Sequence, residues 1–106
     1  MDNERAASIT IAGKEYQLIL TTRATKEIAK RYGGLANLGD KLMKSENFEL
    51  ALDELIWLIA LLANQSILIH NFQHPEDKRE PLTEEEIELL TTPTDLAEYK
   101  DAIMDS

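Results

Sequence analysis

Leu55 to Ala63 is a run of nine consecutive apolar residues, LIWLIALLA, in a 106-residue chain whose formal net charge is −9. A helix built on such a run is apolar round its circumference and must find cover on every side. The cover is a bilayer, the chain's own elements or another protein. A domain of this length buries roughly two-thirds of the surface its unfolded chain exposes. One central helix is therefore enclosed only if nearly every other element leans on it. A membrane span calls for about 20 mainly apolar residues. Here Asn64, Gln65 and Ser66 interrupt after nine, and Asp53 and Glu54 stand just ahead. The run is expected to be a core helix, with no membrane as partner.

The flanking sequence extends that helix from a break and N-cap at Ser45 to Asn47 as far as about Asn71. Glu49, Asp53, Asn64 and Asn71 fall on one narrow polar stripe, with small Ala60 inside it, and the rest repeats near 3.6 residues. Before it, SITIAGKEYQLIL alternates as strands do. A two-residue turn at Ala12-Gly13 or at Gly13-Lys14 puts Ile9, Ile11, Tyr16 and Leu18 on one face. An isolated hairpin is marginal in water, so that face must lie on helices, and its edges offer pairing to another chain.

Thr22 is read as the N-cap of the next helix, with Ala24, Ile28, Ala29 and Tyr32 inward and Gly33-Gly34 as its stop. A shorter helix presents Leu35, Leu38, Leu42 and Met43. After the polar loop QHPEDKREPL, Thr83 to Glu86 forms a capping box, with Leu82 and Ile87 as its hydrophobic staple. That helix stops near Thr91, and a last one starts near Thr94 or Asp95, carrying Leu96, Tyr99, Ile103 and Met104 inward. The expected fold class is α+β and mainly helical. An N-terminal β-hairpin packs on four to five helices, one of them central and buried. Residues 1–7 are read as a disordered N-terminus and 8–106 as a single domain.

Charge and composition narrow the chemistry. Up to residue 44 the chain holds eight Lys and Arg against five Asp and Glu, and beyond it three against fifteen. That gradient suits solubility, head-to-tail contacts or a basic partner for the second half. It argues against nucleic acid, because phosphate is repelled and no basic arm offsets the repulsion. With no cysteine, disulfides, thiolate metal sites and a Cys nucleophile are excluded together. MDNERAAS lacks the apolar core of a secretory signal, so a cytosolic location is expected.

No assembled catalytic group appears, and neither an enzyme nor a cofactor is expected. His70 and His74 have a spacing that suits zinc on a helix, with Glu76 and Asp77 nearby, but Pro75 disfavours helical geometry at His74. Both histidines read as surface residues. Ala12-Gly13-Lys14 lacks the earlier glycine and the Ser or Thr of a phosphate loop. Glu84 to Glu88 lacks the spaced ligands of a calcium loop, and the favourable N-terminal helix field accounts for it. Trp57 reads as core before binding anchor. Beyond the polar break, Ile67, Leu68, Ile69 and Phe72 form a second apolar cluster beside the polar loop. Either the hairpin or the last helix covers it, or a partner docks there. Ile67, Leu68 and Phe72 are the candidate partner-binding residues.

Taken in order, these elements resemble the small tail assembly chaperones of long-tailed bacteriophages and prophages. The resemblance rests on a hairpin of the I-T-I-x-G-K-x-Y-x-L kind (Ile9, Thr10, Ile11, Gly13, Lys14, Tyr16, Leu18). It rests also on the Arg31-Tyr32-Gly33 helix stop and the Pro81 to Glu86 segment, and it spans about residues 8–104. It implies a non-enzymatic protein of the bacterial host cytoplasm. Such a protein binds the long, apolar-rich tape measure protein, keeps it soluble until the tail tube polymerises, and is absent from the finished tail. The tail tube protein is a possible second partner, and self-association into a homo-oligomer is expected. Some members have a longer frameshifted form, and this chain would match the short form or a whole protein in a phage without the shift. The alternatives are a head–tail or tail component retained in the virion, or a small bacterial adaptor or regulatory protein.

Overall fold

The computed structural model describes residues 7–44 and 48–105. Strands β1 (Ala7–Ile11) and β2 (Lys14–Leu18) form an antiparallel hairpin, followed by α1 (Thr22–Tyr32), α2 (Leu35–Lys44), α3 (Phe48–Gln73), α4 (Glu84–Leu90) and α5 (Pro93–Asp105). This is the α+β, mainly helical architecture read from the sequence. β1 begins at Ala7, one residue before the domain boundary expected there.

The hairpin turn is Ala12-Gly13. Both residues take positive φ, 52° and 80°, and Ile11 pairs with Lys14 across it. Two successive positive φ values match the right-handed twist of the strands, and Gly13 adopts its share without steric cost. The register sets Ile9 opposite Tyr16 and Ala7 opposite Leu18. Ile9, Ile11 and Leu18 are buried and Tyr16 half-buried, on the face that alternation assigned to the core.

That face lies on α3. Seven residues of the run, Leu55, Ile56, Leu58, Ile59, Ala60, Leu62 and Ala63, are buried, and Trp57 and Leu61 are half-buried. β2 packs on α3, and its continuation hydrogen-bonds it, with Ile19 N–H donating to the Leu62 carbonyl at 3.3 Å. α1 and α2 cover a second side, α4 and α5 a third. α5 also reaches β1, where the Tyr99 hydroxyl donates to the Thr10 carbonyl at 2.7 Å. The chain's own elements thus enclose the nine-residue run.

The polar residues do not shorten the central helix, so length does not exclude a span as the sequence suggested. α3 is 26 residues, about 39 Å at the helical rise, and it runs straight through Asn64, Gln65 and Ser66. Its segment Ala51–Gln73 is long and apolar enough to cross a bilayer by length and composition, and half of its most apolar stretch is buried within the fold. What distinguishes α3 is how its polar residues are used. Ser66 Oγ bonds back to the Ala63 carbonyl at 3.0 Å. Asn64 pairs with the backbone of Leu82 through both amide atoms, at 2.8 and 2.7 Å. Asn71 does the same to Arg79, at 2.9 and 2.8 Å. Seven residues of helix and three of extended chain both span about 10 Å, so residues 79–82 run antiparallel along the polar stripe. Each Asn side chain acts there as a peptide group would in a sheet.

Elsewhere the structure moves several expectations. The N-cap of α1 is Thr21, whose hydroxyl accepts from Ala24 N–H at 3.0 Å, and Thr22 is the first helical residue. Ala24 and Ile28 are buried and Tyr32 is half-buried, whereas Ala29 is exposed. Only a narrow face of α1 meets the core, and Ala29 stands at its outer edge. Gly33 closes α1 at φ 90°, its N–H donating to the Ala29 carbonyl at 2.8 Å. On α2, Leu38 is buried and Leu35 exposed. The capping box is present in full, with Leu82 and Ile87 buried beside it. α5 begins at Pro93, where a missing N–H is harmless. Thr92 and Asp95 cap it reciprocally at 3.0 and 3.2 Å. The break expected at residues 45–47, like the side chains of Leu42, Met43, Glu49 and Met104, lies outside the described residues.

The two asparagine clamps differ in setting, Leu82 being buried and Arg79 exposed. Asn64→Ala strands a buried donor and acceptor and is expected to cost about 1–3 kcal/mol. Asn71→Ala, whose partner water can serve, is expected to cost under about 1 kcal/mol. Urea unfolding midpoints of the two variants test the order.

Candidate functional site

Near its C-terminal end α3 leaves its shelter. Leu68 is half-buried, Ile69 is 39% exposed and Phe72 is 88% exposed. Positions 68 and 72 lie one helical turn apart and 69 beside them, so the three share one face. Thr21 and Arg23 at the start of α1 form the facing wall. Pro75 and Lys78 from the loop after α3 form the end. Together they bound an open groove of about 740 Å³. Two cations line it and no carboxylate does, in a chain of net charge −9.

The floor is held in place by a buried amide. Gln65 is 4% exposed. Its Oε1 accepts from the Thr21 hydroxyl at 2.5 Å and its Nε2 donates to the Leu61 carbonyl at 3.0 Å. The same Thr21 oxygen that caps α1 therefore pins that helix to α3. A buried amide with both ends bonded keeps its position, so the two walls of the groove are tied at their base.

The structure separates the three candidate residues. Leu68 and Phe72 line this groove. Ile67 faces the other way, into a polar pocket of about 410 Å³ between Lys14 to Gln17 of β2 and residues 79–82. Ile69, Arg23, Pro75 and Lys78 belong to the groove although the sequence reading did not choose them. Ile69 was visible as part of the apolar cluster. Arg23 and Lys78 are remote in sequence, and no local pattern brings them together.

The paired histidines are otherwise engaged. His70 Nε2 lies 2.8 Å from the Asp77 carbonyl and 3.4 Å from its carboxylate, and the two imidazole centroids lie 4.8 Å apart at a 33° tilt. His74 Nδ1 is 3.5 Å from Glu76. Among the described residues no three His, Cys, Asp or Glu converge as metal ligands.

A second polar cluster joins α1 to α3. Tyr32 donates its hydroxyl hydrogen to the Glu54 carboxylate. Arg31 Nε donates to the Tyr32 oxygen at 3.1 Å and lies 3.6 Å from Glu54. The Arg31 guanidinium sits 4.6 Å from the centre of the Trp57 ring, which meets Tyr32 edge-on at 5.7 Å. Burial raises the Tyr32 hydroxyl above its ordinary range, and the bond to Glu54 raises it further. The bond to Tyr32 likewise raises Arg31. Neither group is poised to exchange protons near neutral pH, as acid–base catalysis requires. The cluster is a joint, and Trp57 is part of its packing.

No protein-family model, no curated protein and no solved structure matches this chain.

Three tyrosines shift the same way. Burial leads in each case, reinforced by Glu86 at Tyr16, by the Glu54 bond at Tyr32, and by Asp95 and Glu98 at Tyr99. A raised folded-state value means the fold holds these protons more tightly than the unfolded chain does. The resulting stability is complete below the unfolded value, 10.0, and is lost as pH climbs through the folded ones. The midpoint of tyrosinate formation in folded protein is expected above 10.0, and Tyr32→Phe is expected to flatten the alkaline loss of stability. A midpoint at or below that value in folded protein would contradict the assignment.

Proposed function

We propose that this chain is a tail assembly chaperone of a long-tailed phage or prophage. It binds apolar stretches of the tape measure protein in the bacterial host cytoplasm and keeps them soluble until the tail tube forms around them. The observation that carries the reading is the groove at the end of α3. There Phe72 stands 88% exposed beside Leu68, Ile69 and Pro75. An aromatic side chain held in water beside an apolar floor costs solubility, and its use is to be covered by a partner. A helical client suits it, because an amphipathic helix offers apolar side chains every third or fourth residue to an open groove. The order of hairpin and helices, and the residues that carry the family resemblance, support the same reading.

The chemistry of the site fits holding and release. Contact with an open groove buries few side chains, so each grip is weak and many copies are needed along a long client. The acidic exterior keeps a loaded complex apart from its neighbours.

The test is co-purification from cells carrying the induced phage, with this chain tagged. The tape measure protein is expected in the eluate. Phe72→Asp, on an exposed side chain, is expected to lower its yield about tenfold, equivalent to about 1.4 kcal/mol, with the thermal midpoint of the domain unchanged. Recovery of tail-tube or connector subunits alone would favour a virion component. Recovery of no phage protein would remove the reading.

A further inference from the structure

The groove has a counterpart elsewhere on the same chain. Helix α4 carries four carboxylates in seven residues and no base. Ile87 anchors it inward, fully buried. Leu89 lies two residues on, about 200° round the helix, and is 74% exposed, with Leu90 beside it at 51%. Glu85, one turn before Leu89, shares its outward face. Glu84, Glu85 and Glu88 are exposed and form no ion pair among the described residues, and neither do Arg23 and Lys78 at the groove.

We propose that α4 of one copy docks in the groove of a second copy, Leu89 and Leu90 against Phe72, Ile69 and Leu68, with its carboxylates facing Arg23 and Lys78. Each surface supplies what the other lacks. The groove is apolar with cations and no acid, and the helix is apolar with acids and no base. Neither exposed leucine lines the groove of its own molecule, so the pairing runs between copies. It joins two different patches, and such a head-to-tail contact closes into a ring or extends as a filament. The uneven charge of the chain, basic before residue 45 and acidic after it, favours the same alignment. A contact this small is weak and depends on concentration. Occupation of the groove by α4 also competes with an apolar client, and this consequence alone rests on the functional reading above.

Sedimentation of the purified full chain over a range of concentrations tests the contact without any client. Wild type is expected to associate as concentration rises, and to do so less in about 1 M salt, where charges are screened beyond roughly 3 Å. Phe72→Asp and Leu89→Asp, both at exposed positions, should each be monomeric. Mixed together they should form a one-to-one dimer, since one carries an intact helix and the other an intact groove. Arg23→Glu should weaken association, and adding Glu85→Arg in the partner copy should restore it, which guards against misfolding as the cause. A monomer at every concentration, association that survives either single variant, or no dimer in the mixture overturns the proposal. For the competition, Leu89→Asp should capture more tape measure protein than wild type at equal concentration. Unchanged capture overturns the competition and leaves the contact standing. If no variant captures tape measure protein while the mixture still dimerises, the functional reading fails and the contact does not.

Discussion

Helix α3 is apolar round most of its circumference, and water is a poor neighbour for any side of it. Every other element is placed by that constraint. The hairpin lends one apolar face, α1 and α2 a second, α4 and α5 a third. None of these pieces holds together alone, since a two-stranded hairpin is marginal and a helix as short as α4 frays without packing. Burial against α3 stabilises them, and they in turn keep α3 out of water. Among the described residues of α3, the large apolar side chains left exposed are Ile69 and Phe72, near its C-terminal end.

Polar side chains on this helix have a job that hydropathy alone does not express. Asn64 and Asn71 hold residues 79–82 along the helix, so the return path to α4 is bonded through side chains that imitate backbone. Gln65 meets Thr21 and ties the start of α1 to the same stretch. These bonds end where the groove begins. Gln65 and Asn71 are both part of its lining, with Lys78 just before the clamped Arg79. The features that fasten the fold also set the shape and charge of the groove, which links packing to binding.

Where the sequence could be read, local physics was enough. Alternation in β1 and β2 gave the buried face. The Thr83–Glu86 box and its staple residues gave the start of α4, and Gly33 gave the end of α1. At several places where the reading slipped, a distant partner had decided. Thr21 and Thr22 are equivalent as caps by type, and the buried Gln65, 44 positions away, selects Thr21. Ala29 and Leu35 fit the inward stripes by spacing, yet the neighbouring helices present too little surface to cover them. Leu89 shares no face with Ile87, and its exposure follows once Ile87 is known to point inward. The separation of Ile67 from Leu68 and Phe72 was a matter of which side β2 occupies, which periodicity does not contain.

By itself, then, the sequence determined the elements, the capping box of α4, the glycine stop of α1 and the need to enclose one long apolar helix, because these follow from interactions within a few turns of chain. Only the tertiary structure decided what that helix is covered with and what it leaves bare. The Asn64–Leu82 clamp, the Thr21–Gln65 tie and the placement of Arg23 and Lys78 on one groove all bring together residues far apart in sequence. Such pairings depend on the direction each element takes as it leaves α3, and no local pattern records that direction.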